Sequence, residues 1–164
     1  MIAIEFILAG MLAAATPFLL AALGELVAER SGVLNLGVEG MMALGAALAF
    51  ITVYSGGGHV AGFLAGGLGG VALSLFFAFV TLGLHANQVA TGLAIGILGL
   101  GLSAYFGKPF ESFTVSGVDK LAVPGLSDLP LVGGLFEQDI VVWLSLIFTV
   151  ALWYVLKHTK LVCC

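Results

Sequence analysis

Charge is scarce in this 164-residue chain: 9% of its residues are Asp, Glu, Lys or Arg, against about 25% in an average soluble domain. With 61% hydrophobic residues, that scarcity excludes a water-soluble globule. Positive charge is scarcer still. Five Lys and Arg stand against nine Asp and Glu, and no basic patch exists, so nucleic acid is excluded as a partner. Cysteine occurs only as the adjacent pair Cys163 and Cys164, which can neither staple a fold nor supply the four ligands of a structural zinc site. A prenylation box would need Cys where Leu161 stands. Proline is limited to four residues, and the 24 glycines follow no Gly-X-Y period, which excludes collagen and disordered composition. Glycine-rich membrane helices remain. The N-terminus lacks the basic region of a secretory signal and carries Glu5 instead, so its apolar run reads as a retained span.

A bilayer core about 30 Å thick takes roughly 20 helical residues to cross. Five uncharged runs approach or exceed that length: Phe6 to Gly24, Gly40 to Tyr54, Val60 to Leu84, Val89 to Phe106 and Ile140 to Leu156. The expected fold is all-α, a polytopic transmembrane helical bundle of about five spans, forming one domain over residues 1–164. The second run is short and must borrow from residues 32–39, where Gly32, Asn35, Gly37 and Glu39 interrupt the apolar pattern, so a broken or re-entrant segment is expected before it. Residues 107–139 hold Pro109, Pro124, Pro130 and several glycines among acids, and read as an extracytoplasmic loop. Arg30, Lys157 and Lys160 fall on one side when spans alternate, which places residues 25–39 and the C-terminus in the cytoplasm by the positive-inside rule.

Gly62, Gly66, Gly70, Ser74 and Ala78 recur every four residues, predicting a stripe of small side chains along the third span for close helix packing. The opposite face carries Phe63, Leu73, Phe76 and Phe77, suited to lipid or bulky neighbours. Gly92 with Gly96, and Gly99 with Ser103, repeat the small-residue theme in the fourth span.

Several catalytic and cofactor motifs fail. Gly107-Lys108 lacks the glycine and the hydroxyl residue that a phosphate loop needs at 102 and 109. Gly99, Gly101 and Ala104 fit G-x-G-x-x-A inside an apolar run, where no strand-to-helix turn exists. His59, His85 and His158 lie at span edges without metal-site spacing, so no metal site is expected. No mid-span histidine is available to activate Ser31 as an intramembrane nucleophile, and the chain is expected not to be an enzyme.

The informative stretch is Gly24 to Met42, GELVAERSGVLNLGVEGMM. Polar groups so dense at the start of a span must be interfacial, paired or turned to a water-filled cavity. Either they form a cytoplasmic loop with an internal salt bridge, Arg30 pairing with Glu25 or Glu29, or they form a broken helix lining a path. A second cluster opens the fourth span: Asn87 as a helix cap, with Gln88 and Thr91 as candidates to face the path.

The run Glu29 to Met41, ERSGVLNLGVEGM, resembles the signature of permease subunits of bacterial ABC importers for simple sugars and nucleosides, within the branched-chain amino-acid permease superfamily. Asn87 to Ala94, NQVATGLA, and the outer-loop phrase Val123 to Gly133, VPGLSDLPLVG, are similar to the same family in the same order, and the ERSGVLNLGVEGMM form with the outer-loop phrase leans toward its nucleoside-type branch. The resemblance implies a dimeric or pseudo-dimeric permease in the bacterial inner membrane, with a second permease subunit and a central solute path. It also implies an extracytoplasmic solute-binding protein or lipoprotein, and cytoplasmic ATP-binding subunits that use the ATP, so that this chain needs no cofactor. Ser31, Asn35, Glu39 and Asn87 acquire a role near the path because they lie in the matching motifs. Family members are considerably longer and continue, after a Lys-X-Thr-Lys-like segment, into a loop that grips the ATPase; here the sequence reads Lys157-His158-Thr159-Lys160-Leu161-Val162-Cys163-Cys164. An N-terminal fragment or frameshifted product is the corresponding expectation. The alternative, from a different class, is a self-contained small channel or structural oligomer.

Overall fold

A computed structural model describes residues 2–118, 120–122 and 137–158. The outer-loop phrase Val123 to Gly133 and the segment Thr159 to Cys164 lie outside the described residues. Five α-helices dominate: α1 (Ile2–Arg30), α2 (Val38–Thr52), α3 (Gly58–Ala78), α4 (Gln88–Gly107) and α5 (Ile140–His158). Four helical stretches are long and apolar enough to cross a membrane, one of them the 46-residue Val38–Gly83. That stretch contains both α2 and α3, because the chain reverses within it. The protein is therefore an all-α polytopic membrane bundle, in line with about five runs read from the sequence. Two compact units make it up, Gly32–Ser116 and the combination of Met1–Ser31 with Gly117–Cys164.

In the Gly32–Ser116 unit, α2 lies between α3 and α4. It ends in a wide π-type turn, Val53–Gly57, and the reversal is made at Gly56 (φ +87°) and Gly58 (φ +72°), left-handed positions that glycine occupies without a Cβ clash. The returning α3 runs antiparallel: Gly45 meets Gly66 backbone to backbone, and Ala49 meets both Gly62 and Gly66. A second π-type turn, Phe79–Gly83, ends α3, with the Thr81 hydroxyl donating to the Phe77 carbonyl at 2.8 Å. The fourth helix then runs parallel to α2, since Gly37 meets Gly92, Gly40 meets Gly96, and the Ser103 hydroxyl donates to the Ala43 carbonyl at 2.9 Å. Met41, Leu44, Leu73, Phe77 and Ile95 form the core among the three helices.

The contact line on α3 differs from the four-residue stripe. Gly62 and Gly66 do face α2, but Gly70 meets nothing among the described residues and the Ser74 hydroxyl turns back to the Val71 carbonyl at 2.9 Å. The covered line runs through Gly62, Gly69, Leu73 and Phe77. The reason is geometric: four residues advance a helix by about 400°, so a strict four-residue stripe drifts about 40° per step away from any straight neighbour. Leu73 and Phe77 are thus core residues, whereas Phe63 and Phe76 stay exposed to the surroundings.

In the other unit, α1 and α5 also run parallel: the Gln138 amide, just before α5, donates to the Ala9 carbonyl at 3.4 Å near the start of α1. Within α1, Pro17 has no N–H for the Ala13 carbonyl, and the neighbouring Thr16 hydroxyl donates to the Leu12 carbonyl at 3.0 Å. Two three-residue strands, β1 (Lys120–Ala122) and β2 (Glu137–Asp139), pair antiparallel with Lys120 opposite Asp139 and Ala122 opposite Glu137. Part of the sequence-predicted outer loop therefore closes at its base as a short ladder. Parallel α2 and α4, antiparallel α3, and parallel α1 and α5 are the directions that alternating spans require within each unit.

Candidate functional site

The site begins where α1 stops. The Ser31 N–H is shared between the Val27 and Ala28 carbonyls, and Gly32 takes a left-handed φ of +81°, so the chain leaves the helix at a glycine. Ser31 also donates its hydroxyl to the Val27 carbonyl at 2.9 Å, which holds it on the end of α1. Residues 33–35 are non-helical, and α2 starts only at Val38. The expected broken segment is present.

Asn35 shapes this break. Its Oδ1 accepts from the Gly37 N–H at 2.9 Å, an Asx turn that aims the chain into α2, and its Nδ2 reaches the Met41 sulfur at 3.6 Å. The Leu34 N–H donates to Gln88 Oε1 at 2.8 Å, tying the break to the first residue of α4. On α4, Asn87 stands at the N-cap and accepts from the Ala90 N–H at 3.2 Å, the capping role expected for it. Glycine makes the close approach possible: a Cβ on Gly37 would sit 2.6 Å from the Gly92 carbonyl oxygen, and one on Gly92 would sit 2.7 Å from the Leu36 nitrogen.

The N-terminal ends of α2 and α4 consequently lie side by side, with the break folded against α4. The Leu34 bond fixes Gln88 against the break that Asn35 shapes. Thr91 lies one turn above Gln88, half-buried and next to the Gly92 contact, while Glu39 is exposed in the first turn of α2. Ser31 belongs to the end of α1, with its hydroxyl on the Val27 carbonyl. The hydrogen-bonding chemistry of the group is that of neutral amides and a hydroxyl, with one carboxylate. Gln88 spends its oxygen on Leu34, which leaves its NH2 as the free end of that side chain.

Sequence reasoning did not name Gly37, Gly40 and Gly45 as packing residues. Their signal was available, small residues three and five apart entering a span, but the polar neighbours Asn35 and Glu39 drew attention to side-chain chemistry. The cross-chain bond from Leu34 to Gln88 involves a backbone donor and has no sequence signature.

Residues 7–161 match the family described as the branched-chain amino acid transport system permease component. The chain belongs to that family. Its relatives include a protein of Haloferax volcanii provisionally named the glucose ABC transporter permease protein TsgC13, 38% identical over 153 residues. That match covers 90% of this chain and 46% of the relative, so the permease chain spans about half the relative's length. No solved structure matches the chain. Family and helices together make it a multi-pass membrane protein of a transport-system permease family.

Proposed function

We propose that this permease forms part of the path by which an ABC importer takes up nucleosides or related small polar solutes, with ATP hydrolysed by separate cytoplasmic subunits. The observation that carries this reading is the break at residues 32–37 docked on the start of α4, which sets Asn35, Gln88, Thr91 and Glu39 at the adjoining ends of two parallel helices. Non-helical backbone at the start of a membrane span is tolerated where it is buried in protein or lines a water-filled path. Amide and hydroxyl groups there suit a neutral solute rich in hydroxyls or ring nitrogens, and the relative's name, which specifies glucose, supports a neutral polyhydroxylated class. No Lys or Arg stands among these groups to hold a phosphate. The nucleoside preference rests on the resemblance of ERSGVLNLGVEGM to the nucleoside-type branch.

The partners in this reading are a second permease subunit, cytoplasmic ATP-binding subunits and an extracytoplasmic solute-binding protein or lipoprotein. The chain itself performs no chemistry and carries no cofactor. Uptake of labelled nucleosides and glucose by cells producing the assembled importer is the test. Asn35→Ala and Glu39→Gln are expected to lower uptake of one solute class at unchanged membrane abundance. Normal uptake by both variants, or flux that continues without ATP, contradicts the proposal.

A further inference from the structure

The structure holds a second feature, separate from the break and wholly within the unit formed by α1 and α5. A cleft of about 420 Å³ opens between the C-terminal halves of these helices. Its floor is apolar, built from Leu23, Leu26, Leu152 and Leu156, and two cations, Arg30 and Lys157, stand beside it in the last turns of their helices. Among the described residues, no carboxylate lines it. At about 100° per residue, Leu23, Leu26 and Arg30 fall within roughly 60° of one another on α1, while Glu29 and Glu25 lie about 90° and about 130° from the middle of that arc.

The geometry points to a site for one anionic phospholipid, its acyl chain lying along the four leucines and its headgroup phosphate held between Arg30 and Lys157. Three observations favour this occupant. The chain is a membrane protein with α1 and α5 long and apolar enough to span a bilayer, so lipid is the ligand it meets at highest concentration. Apolar floor and cationic rim match the two ends of an anionic lipid, whereas a zwitterionic headgroup brings its own cation against Arg30 and Lys157. Lys157 is also preset, its ammonium 4.8 Å from the centre of the Trp153 ring, which steadies a long side chain that would otherwise lose rotamer freedom on binding. A cation placed only as an interfacial anchor needs neither the leucine-lined cleft nor a partner cation on the next helix.

Trp153 lines the cleft and reports on its occupant. The full chain, carrying Trp143→Phe so that Trp153 alone fluoresces, is reconstituted with bilayer lipids brominated on their acyl chains. Brominated phosphatidylglycerol is expected to quench Trp153 with roughly tenfold higher apparent affinity than brominated phosphatidylcholine, because two cations each favour an anionic surface. Arg30→Gln with Lys157→Gln is expected to abolish that preference, and Arg30→Lys to restore most of it in the Lys157 background. Inorganic phosphate at millimolar concentration is expected not to relieve the quenching; relief would show a free-anion site and overturn the lipid assignment. Equal quenching by both lipids, meaning ordinary annular contact, overturns it as well. So does a Trp153 that no brominated lipid reaches, because protein then fills the cleft. The headgroup comparison on the Trp143→Phe chain alone decides the question if the charge variants fail to fold.

Discussion

The two units of this permease are packed by different means. In the unit of α2, α3 and α4, backbones touch: Gly40 against Gly96 and Gly99, Gly45 against Gly66, Gly62 against Ala49. Among the described residues, the unit of α1 and α5 has no glycine in such a contact. The glycines of α1, Gly10 and Gly24, meet nothing within 4 Å among the described residues, and α5 has no glycine at all. Here α1 and α5 bury Thr16, Leu23, Val142 and Ser145, and a leucine-lined cleft opens between their C-terminal halves. Lipid is as apolar as leucine, so membrane helices gain little by hiding leucine from it, and close van der Waals contact with occasional interhelical hydrogen bonds decides which pairs pack tightly. Glycine, placed at matching heights on neighbouring helices, supplies that contact in one unit and not in the other.

The largest difference between the units is expected in their apolar side chains. Leu73, 7% exposed in the three-helix core, is surrounded on all sides, and Leu73→Ala is expected to cost about 2–5 kcal/mol through lost contacts and a residual cavity. Leu152, on the floor of an open cleft, is expected to cost less than about 1 kcal/mol when changed to Ala. Unfolding of both variants in detergent measures this, and equal losses would erase the distinction between the units.

Glycine substitutions sharpen the comparison at the next level. A Cβ on Gly40 or Gly99 would run into the backbone of the neighbouring helix, which cannot rotate aside, so Gly40→Ala and Gly99→Ala are each expected to destabilise by about 1–3 kcal/mol. Gly96→Ala is the internal control, because its Cβ would find ordinary contact at 3.5 Å from the Gly37 Cα. In α1, Gly10→Ala and Gly24→Ala are expected to gain up to about 1 kcal/mol from helix propensity, with nothing to strike. Melting temperatures that fall in all five variants would contradict the assignment of tight packing to one unit.

The smallest expected effect belongs to the Ser103–Ala43 hydrogen bond, which joins α4 to α2. Ser103→Ala is expected to cost about 0.6 kcal/mol, the average for such bonds in membranes, because the freed carbonyl keeps its own helical partner. A loss above about 2 kcal/mol would mean that the hydroxyl does more than bridge two helices.

Much of the fold is legible in the sequence because a membrane span announces itself by the length of an uncharged run. The break before α2 shows equally well, since Gly32, Asn35, Gly37 and Glu39 have no other reason to interrupt such a run. Asn87 reads correctly as a cap because Asn immediately before an apolar helix has a specific backbone N–H to satisfy. The buried faces do not show. With apolar residues on every side of α3, amphipathicity carries almost no signal, and the four-residue glycine stripe pointed past Gly69, Leu73 and Phe77. The β1–β2 ladder was also missed, because strands of three residues have no period to detect. At the site, the residue types are legible but their association is not: the link between residues 34 and 88 runs from a backbone N–H to a side-chain amide oxygen on a distant segment.

We propose above that the break and the start of α4 border the solute path. Alkylation of the assembled importer carrying Thr91→Cys tests it most directly, with Gly101→Cys, which faces open space higher on α4, as the reference. Nucleoside added with ATP is expected to slow labelling at position 91 and to leave position 101 unchanged. Labelling at position 91 that ignores every solute tried, while uptake proceeds, would place the path elsewhere in the molecule.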